Sequence, residues 1–412
     1  MNASRQGIIQ LLILSVILAG VVIGTLALLR SPQTTWTAEP MDSTSVPCLP
    51  VSAALLHQIG ALLKTTRTPC DSFYWMPNPT DEFHILVRFN NFGLHAPIYS
   101  FEKPAGVFRV LIIGDSFPQA MQVRYEDAFP QRLEDLLSQQ LGRPIEVTNL
   151  SIDAYGTDRE LLLYALLGWQ FQPDLVLLSV YTGNDMQDNQ IDLETRRYGY
   201  RIDRPFFTLE GDTLRLHNST IFDRNLYPNV PVFGWLVNHQ NAQSPSPPQN
   251  PPAQPVVLNQ QPYQLEYPVE LGLYLPEDEH WENAWALTTA LIREFNQVVR
   301  LSNVPFAMFI IPDRRAVHSE DWQATLAAYA PQLPVLNQID PIPIASRLIE
   351  SLPNADFPIL DLTTNLQKWV SVHPDQRLYY GGDGHFNAVG HAVTAELLAN
   401  WLISLQMVPA DR

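Results

Sequence analysis

Four short segments of this chain carry groups that could do chemistry together. Gly114-Asp115-Ser116-Phe117 offers a hydroxyl and Tyr155-Gly156-Thr157 a backbone free of a side chain. Gly183-Asn184-Asp185 offers an amide, and Asp383-Gly384-His385 an imidazole two residues from a carboxylate. A serine is a poor nucleophile until a base stands within hydrogen-bond reach and a third group fixes that base's tautomer. His385 can take the Ser116 proton, and Asp383, in an extended loop, can accept from the other ring nitrogen. A tetrahedral oxyanion needs donors aimed at it. The natural ones are the backbone N–H groups of Ser116 and Gly156 and the side-chain amide of Asn184, Gly156 because it permits close backbone approach.

Each segment also has a plain reading. Gly-Asp-Ser and Gly-Asn-Asp recur in ordinary turns, and a histidine before a helix can be a loop residue. Their joint occurrence, each after a strand or before the last helix, is what points to a catalytic site. Asp185 and Asp188 read as turn-stabilising residues, with competition for the role of triad acid or orientation of Asn184 as the alternative, Asn387 as a helix N-cap and His391 as a helix-surface residue. Asp313, Arg314 and Arg315 read as a solvated loop, with a mouth-lining role for an anionic substrate as the alternative. No Cys/His set has zinc spacing and no Gly-rich phosphate loop is present, so no metal or cofactor is implied.

The elements that must position these groups are legible as alternating strands and helices. Near-continuous apolar runs at Phe108–Ile113, Ile145–Leu150, Leu175–Tyr181, Pro305–Ile311 and Pro358–Leu362 suit strands covered on both faces. Helical patterns fall at about 128–140, 158–169, 281–301, 319–330, 343–352 and 387–405. The alternation predicts an α/β fold with a parallel sheet, whose ligands bind at the carboxyl ends of the strands. All four segments then gather on one edge. The stretch from about 186 to 279 shows no helical period and contains the Pro-, Gln- and Asn-rich run 239–255, and so reads as a long insertion folding partly over the sheet edge with a flexible Pro-rich tip, with a mere spacer as the alternative.

At these residues the chain resembles the SGNH/GDSL hydrolase family, whose Ser, Gly, Asn and His match Ser116, Gly156, Asn184 and His385. The resemblance covers residues 85–408 and includes Gln187-Asp188-Asn189 after the GND turn and the stretch DGHFNAVGH. It implies a flavodoxin-like three-layer α/β/α sandwich with esterase, lipase or carbohydrate O-deacetylase activity, Ser116 as nucleophile and His385 as base. Many members place the acid three residues before the histidine. Here that position is Gly382, and the acid is Asp383.

Composition sets the remaining bounds. The 412 residues are 46% hydrophobic and 16% charged with a net charge of −17, which argues against a nucleic-acid partner. Ile8–Leu29 carries no charge and as a helix reaches about 33 Å, enough to cross a bilayer core. It reads as a single transmembrane anchor over residues 1–30, with a cleaved signal peptide and secretion as the alternative. Residues 31–84 read as a stalk, and residues 85–412 as the hydrolase domain. The two cysteines, Cys48 and Cys70, form an even pair that suggests a disulfide in an oxidising compartment, with unpaired thiols as the alternative. The expectation is therefore a serine ester hydrolase at the cell membrane, its catalytic domain extracytoplasmic, acting on a small-molecule or carbohydrate ester. The alternatives are an O-acyltransferase in polysaccharide modification and a non-catalytic envelope scaffold. Oligomeric state is not legible.

Overall fold

In the computed structural model the described residues are 73–75, 80–199, 204–217, 235, 268–275 and 279–410. Ile8–Leu29, Cys48, Cys70 and the Pro-rich run 239–255 lie outside them. Among the described residues no helix is long and apolar enough to cross a membrane.

Nine strands are described: β1 (Phe73–Trp75), β2 (Leu86–Arg88), β3 (Phe108–Ile113), β4 (Ile145–Asn149), β5 (Leu175–Tyr181), β6 (Phe206–Glu210), β7 (Thr213–His217), β8 (Phe306–Ile311) and β9 (Ile359–Asp361). Five of them form one sheet in the order β4-β3-β5-β8-β9, every pairing parallel. This is the flavodoxin-like order, in which the chain leaves β3 for one side and returns to the other. β1 and β2 form a separate antiparallel pair, as do β6 and β7.

The helices are α1 (Ser116–Gln119), α2 (Phe129–Leu141), α3 (Thr157–Leu166), α4 (Asp185–Asn189), α5 (Ile191–Tyr198), α6 (Glu279–Arg300), α7 (Arg314–Val317), α8 (Ser319–Tyr329), α9 (Ile344–Glu350), α10 (Thr363–Val372) and α11 (Ala388–Ser404). Alternate strand residues point to opposite faces. Leu111, Ile113, Val176, Leu178, Met308 and Ile310 join the core under α3, α6 and α9. Their neighbours Val110, Ile112, Leu175, Leu177, Ala307 and Phe309 join a second core under α2, α10 and α11. The described residues thus form a three-layer α/β/α sandwich, and burial on both faces explains the apolar runs of β3, β5 and β8.

The described start of the insertion contains helix where no helical period was read. Its start folds as α4 and α5, and 206–217 is a hairpin closed by the two-residue Gly211-Asp212 turn, with Gly211 at φ +61°. The hairpin signal was there in two alternating runs around that dipeptide, but a helical period does not detect it.

Candidate active site

β3 ends at Ile113, and the chain turns through Gly114 and Asp115 into α1, whose first residue is Ser116. Asp115 caps this short helix, its Oδ1 accepting the Phe117 N–H at 3.1 Å. The turn sits where the strand order reverses, at the crevice between the β4 and β5 sides. Phe117 pins it in place. Its ring lies 4.2 Å from Tyr181 at the end of β5, 5.1 Å from His385 and 4.9 Å from Phe386, centroid to centroid.

His385 arrives on a closed turn. Tyr379 and Phe386 form an antiparallel bridge, Tyr380 N–H donates to His385 O at 2.8 Å, and Gly384 N–H donates to Tyr380 O at 3.1 Å. Asn387 then caps α11, its Oδ1 accepting from Val389 N at 2.9 Å and Gly390 N at 3.0 Å, the role read from the sequence.

The three side chains meet. His385 Nε2 lies 2.8 Å from Ser116 Oγ, and His385 Nδ1 lies 2.6 Å from Asp383 Oδ1. The same carboxylate oxygen accepts the backbone N–H of His385 at 3.2 Å. For Nε2 to accept the serine proton, Nδ1 must carry the ring proton, and Asp383 is placed to receive it. Ser116 Oγ also lies 3.3 Å from Asp115 Oδ2. A hydroxyl has one proton to give, and the shorter imidazole contact is the better acceptor. Asp115 is fully buried, and burial pushes its carboxyl up to about 6, the Phe117 N–H and the nearby His385 pulling it back. The side chains of His385 and Asp383 are 26% and 18% exposed, so a substrate can reach the pair.

Gln122, which no sequence pattern signalled, also faces the ring. It is 3% exposed, with its side-chain nitrogen 3.0 Å from His385 Nδ1 and its oxygen buried without a partner. Exchanging the two amide atoms, which is a matter of assignment, gives the Nδ1 proton a second acceptor.

The other two segments come together around Asp188 and Asn189. Gly156 caps α3, and a Cβ there would stand 2.5 Å from Asn189 Oδ1, 2.9 Å from Asn189 N and 3.0 Å from Asp188 C. Only glycine fits so close an approach. Asn184 precedes α4 and donates from Nδ2 to Asp188 Oδ2 at 2.7 Å, leaving its second N–H for another acceptor. Asp188 therefore orients Asn184, whereas Asp185 does stabilise the turn, accepting the Tyr181 N–H at 2.8 Å. Burial raises Asp188 to about 6, against the pull of Arg197, whose Nη1 stands 3.1 Å away. Beneath this, Arg204 donates to Asp158 Oδ2 at 2.6 Å, to Glu194 Oε2 at 2.7 Å and to Asp188 O at 2.7 Å.

Two expectations are corrected. Asp313, Arg314 and Arg315 are not a solvated loop. Asp313 is 6% exposed and accepts from Arg315 Nη1 at 3.0 Å and Tyr181 Oη at 3.2 Å, while Arg314 donates to Tyr380 O at 3.3 Å and to Gly381 O. His391 is not on the helix surface but 1% exposed, its Nδ1 accepting the Phe129 N–H at 3.2 Å. The helix around it is apolar on nearly every side, which marks burial. Among the described residues no group of three or more His, Cys, Asp or Glu is placed to hold a metal ion.

The arrangement resembles that of an SGNH hydrolase. The sequence matches no protein-family model and no curated protein sequence. Solved structures to which the chain is similar include an acetyl xylan esterase, at 11% identity and TM-score 0.36 over 72% of this chain and 99% of that one. Another is a GDSL-like lipase from Bacteroides thetaiotaomicron, at 9% identity and TM-score 0.32 over 72% and 88%. A two-domain esterase active on acetylated mannans gives 10% and 0.35 over 75% and 52%. At such values the reading rests on this chain's own sheet order and side-chain geometry.

Proposed function

We propose that the chain is a serine ester hydrolase of the SGNH/GDSL type, acting outside the cytoplasm through an acyl-serine intermediate. The observation that carries this reading is the Ser116–His385–Asp383 relay, with contacts of 2.8 Å and 2.6 Å. Ser116 Oγ attacks the ester carbonyl carbon while its proton passes to His385 Nε2. Donors at Ser116 N, Gly156 N and Asn184 Nδ2 take the oxyanion charge. The C–O bond to the alcohol then breaks, His385 returning the proton to the leaving oxygen. Water repeats the sequence on the acyl-serine with His385 as base, releasing the acid. Asp383 holds the ring tautomer and offsets the imidazolium charge.

The extracytoplasmic placement is supported by the uncharged Ile8–Leu29 run and the Cys48, Cys70 pair. An enzyme tethered there meets envelope esters, and carbohydrate O-acetyl groups are the substrate class proposed. The full chain, assayed on p-nitrophenyl acetate beside Ser116→Ala and His385→Ala, tests the reading. Each variant should lose about 10⁴-fold or more in kcat/KM. Equal activity in all three proteins, with Ser116 unmodified by a fluorophosphonate, refutes it.

A further inference from the structure

The turn that carries the acid and base is held by a residue some 300 positions earlier in the chain. Gly381, Gly382 and Gly384 surround Asp383, so the turn has little conformational preference of its own. Glu82 grips it. Its Oε1 and Oε2 both accept the Gly382 N–H at 3.0 Å, its Oε2 accepts the Asp383 N–H at 2.9 Å, and Thr80 donates its hydroxyl to that same oxygen at 2.7 Å. Some 300 residues of chain separate the partners. On the same turn Arg314 donates to Tyr380 O and Gly381 O. Carboxylate on the N–H groups and guanidinium on the carbonyls leave the turn one register. Phe83 adds an apolar contact, its ring 5.0 Å from that of Tyr380.

Two further observations agree. A Cβ on Gly382 would stand 2.3 Å from Thr80 Cγ2 and 2.7 Å from Thr80 Cβ, so the turn and the 80–82 segment are in direct register. The glycine three residues before His385 is thus the residue that lets Glu82 reach the turn. Burial raises the Glu82 carboxyl, yet the N–H groups of Gly382 and Asp383 and the Thr80 hydroxyl outweigh it and leave it below its ordinary value.

We propose that Glu82 is a positioning residue for the Asp383–His385 pair, acting through the backbone N–H groups of Gly382 and Asp383. The inference rests on the serine hydrolase reading. Relay geometry at 2.6 Å depends on where the Asp383 backbone lies, and a misplacement near 1 Å in a catalytic group costs on the order of 10²-fold. Glu82 bonds the backbone of the turn and not the imidazole ring. Its effect belongs in kcat.

The full chain is compared with Glu82→Ala, Glu82→Gln and Ser116→Ala by three readouts: kcat and KM on p-nitrophenyl acetate, the rate of Ser116 labelling by a fluorophosphonate, and hydrogen exchange in the peptide spanning Gly382 and Asp383. Glu82→Ala should lower kcat and the labelling rate by about 10- to 100-fold, with KM within about threefold. Exchange of the two amides should rise by about tenfold or more, because their acceptor is gone. Glu82→Gln, which keeps one acceptor oxygen, should lie between. Wild-type labelling and kcat in Glu82→Ala, with Ser116→Ala inactive, overturn the positioning role alone. Unchanged exchange overturns the clamp. Parallel losses in kcat, KM and thermal midpoint in both variants reduce Glu82 to a fold-stabilising residue and overturn the proposal as well. A wild-type Ser116 that the reagent leaves unmodified overturns the catalytic reading, and this one with it.

Discussion

Gly156→Ala tests the proposed oxyanion site, because the structure states what one methyl group would meet. The new Cβ would stand 2.5 Å from Asn189 Oδ1, where ordinary contact begins at 3.4 Å, so about 0.9 Å must be found. Asn189 cannot supply it by rotating. Its Oδ1 accepts the Asp158 N–H at 2.9 Å and its Nδ2 donates to Thr288 Oγ1 at 2.7 Å, both buried. The backbone contacts at 2.9 Å and 3.0 Å cannot rotate at all. Gly156 itself therefore moves, and its N–H leaves the line to the oxyanion. Loss of one such donor costs about 10²- to 10³-fold, or roughly 3 to 4 kcal/mol in the transition state. The overpacking itself costs about 1 to 3 kcal/mol of stability, a drop in melting temperature of a few degrees in a chain this long. Steady-state kinetics on p-nitrophenyl acetate should show the loss in kcat with KM little changed. A folded variant with wild-type kcat refutes both the close approach and the role assigned to the Gly156 N–H.

Two further outcomes follow from the same geometry. Asp383→Ala should lower kcat by about 10³- to 10⁴-fold, whereas Asp185→Asn, at a buried carboxyl accepting the Tyr181 N–H, should change kcat by less than about tenfold; the reverse ranking in matched assays moves the acid. His391 supplies a pH test. Burial, aided by the charges of His385, Arg132 and His95, pushes it down to about 3 in the folded chain. The unfolded chain takes the proton near pH 6.5, so this contribution is present above that pH and lost as pH falls, by about 2 kcal/mol between pH 7.5 and 5. His391→Asn keeps an acceptor for the Phe129 N–H and does not titrate. Denaturant unfolding should therefore show wild type losing about 2 kcal/mol more than the variant over that range. The raised carboxyls of Asp115 and Asp188, each near 6, act in the opposite sense, gaining stability as pH falls, but are common to both proteins and cancel in the difference. Parallel curves contradict a buried neutral His391.

The central strands β3, β5 and β8 were legible because each is a near-continuous apolar run buried on both faces, which leaves no polar alternation to confuse it, whereas the edge strand β4 carries Glu146 and Thr148 between its apolar residues. Helix α10 was not. Its TTNLQKWVSV offers few apolar positions, and Leu362 just before it had been counted with β9. The Ser116, His385 and Asp383 contacts were legible because a strand end or a helix start fixes each locally. Glu82 and Gln122 were not, since their partners lie 300 and 263 residues away and no local pattern encodes such a pairing. His391 was misplaced because a histidine was read as polar and outward, although the helix around it is apolar on nearly every side and that all-round apolarity signals burial.

The insertion begins two residues after Asn184, and its first part closes a buried charge network. Arg197 reaches Asp188, and Arg204 reaches Asp158, Glu194 and the Asp188 carbonyl, with Asp158, Asp188 and Glu194 all buried. The segment is therefore not an exchangeable module. A chimera that replaces residues 191–217 without both arginines strands buried carboxylates at about 3 to 5 kcal/mol for each broken pair, and does so next to the amide assigned to the oxyanion. The two arginines and the buried carboxylates they hold must therefore be exchanged together.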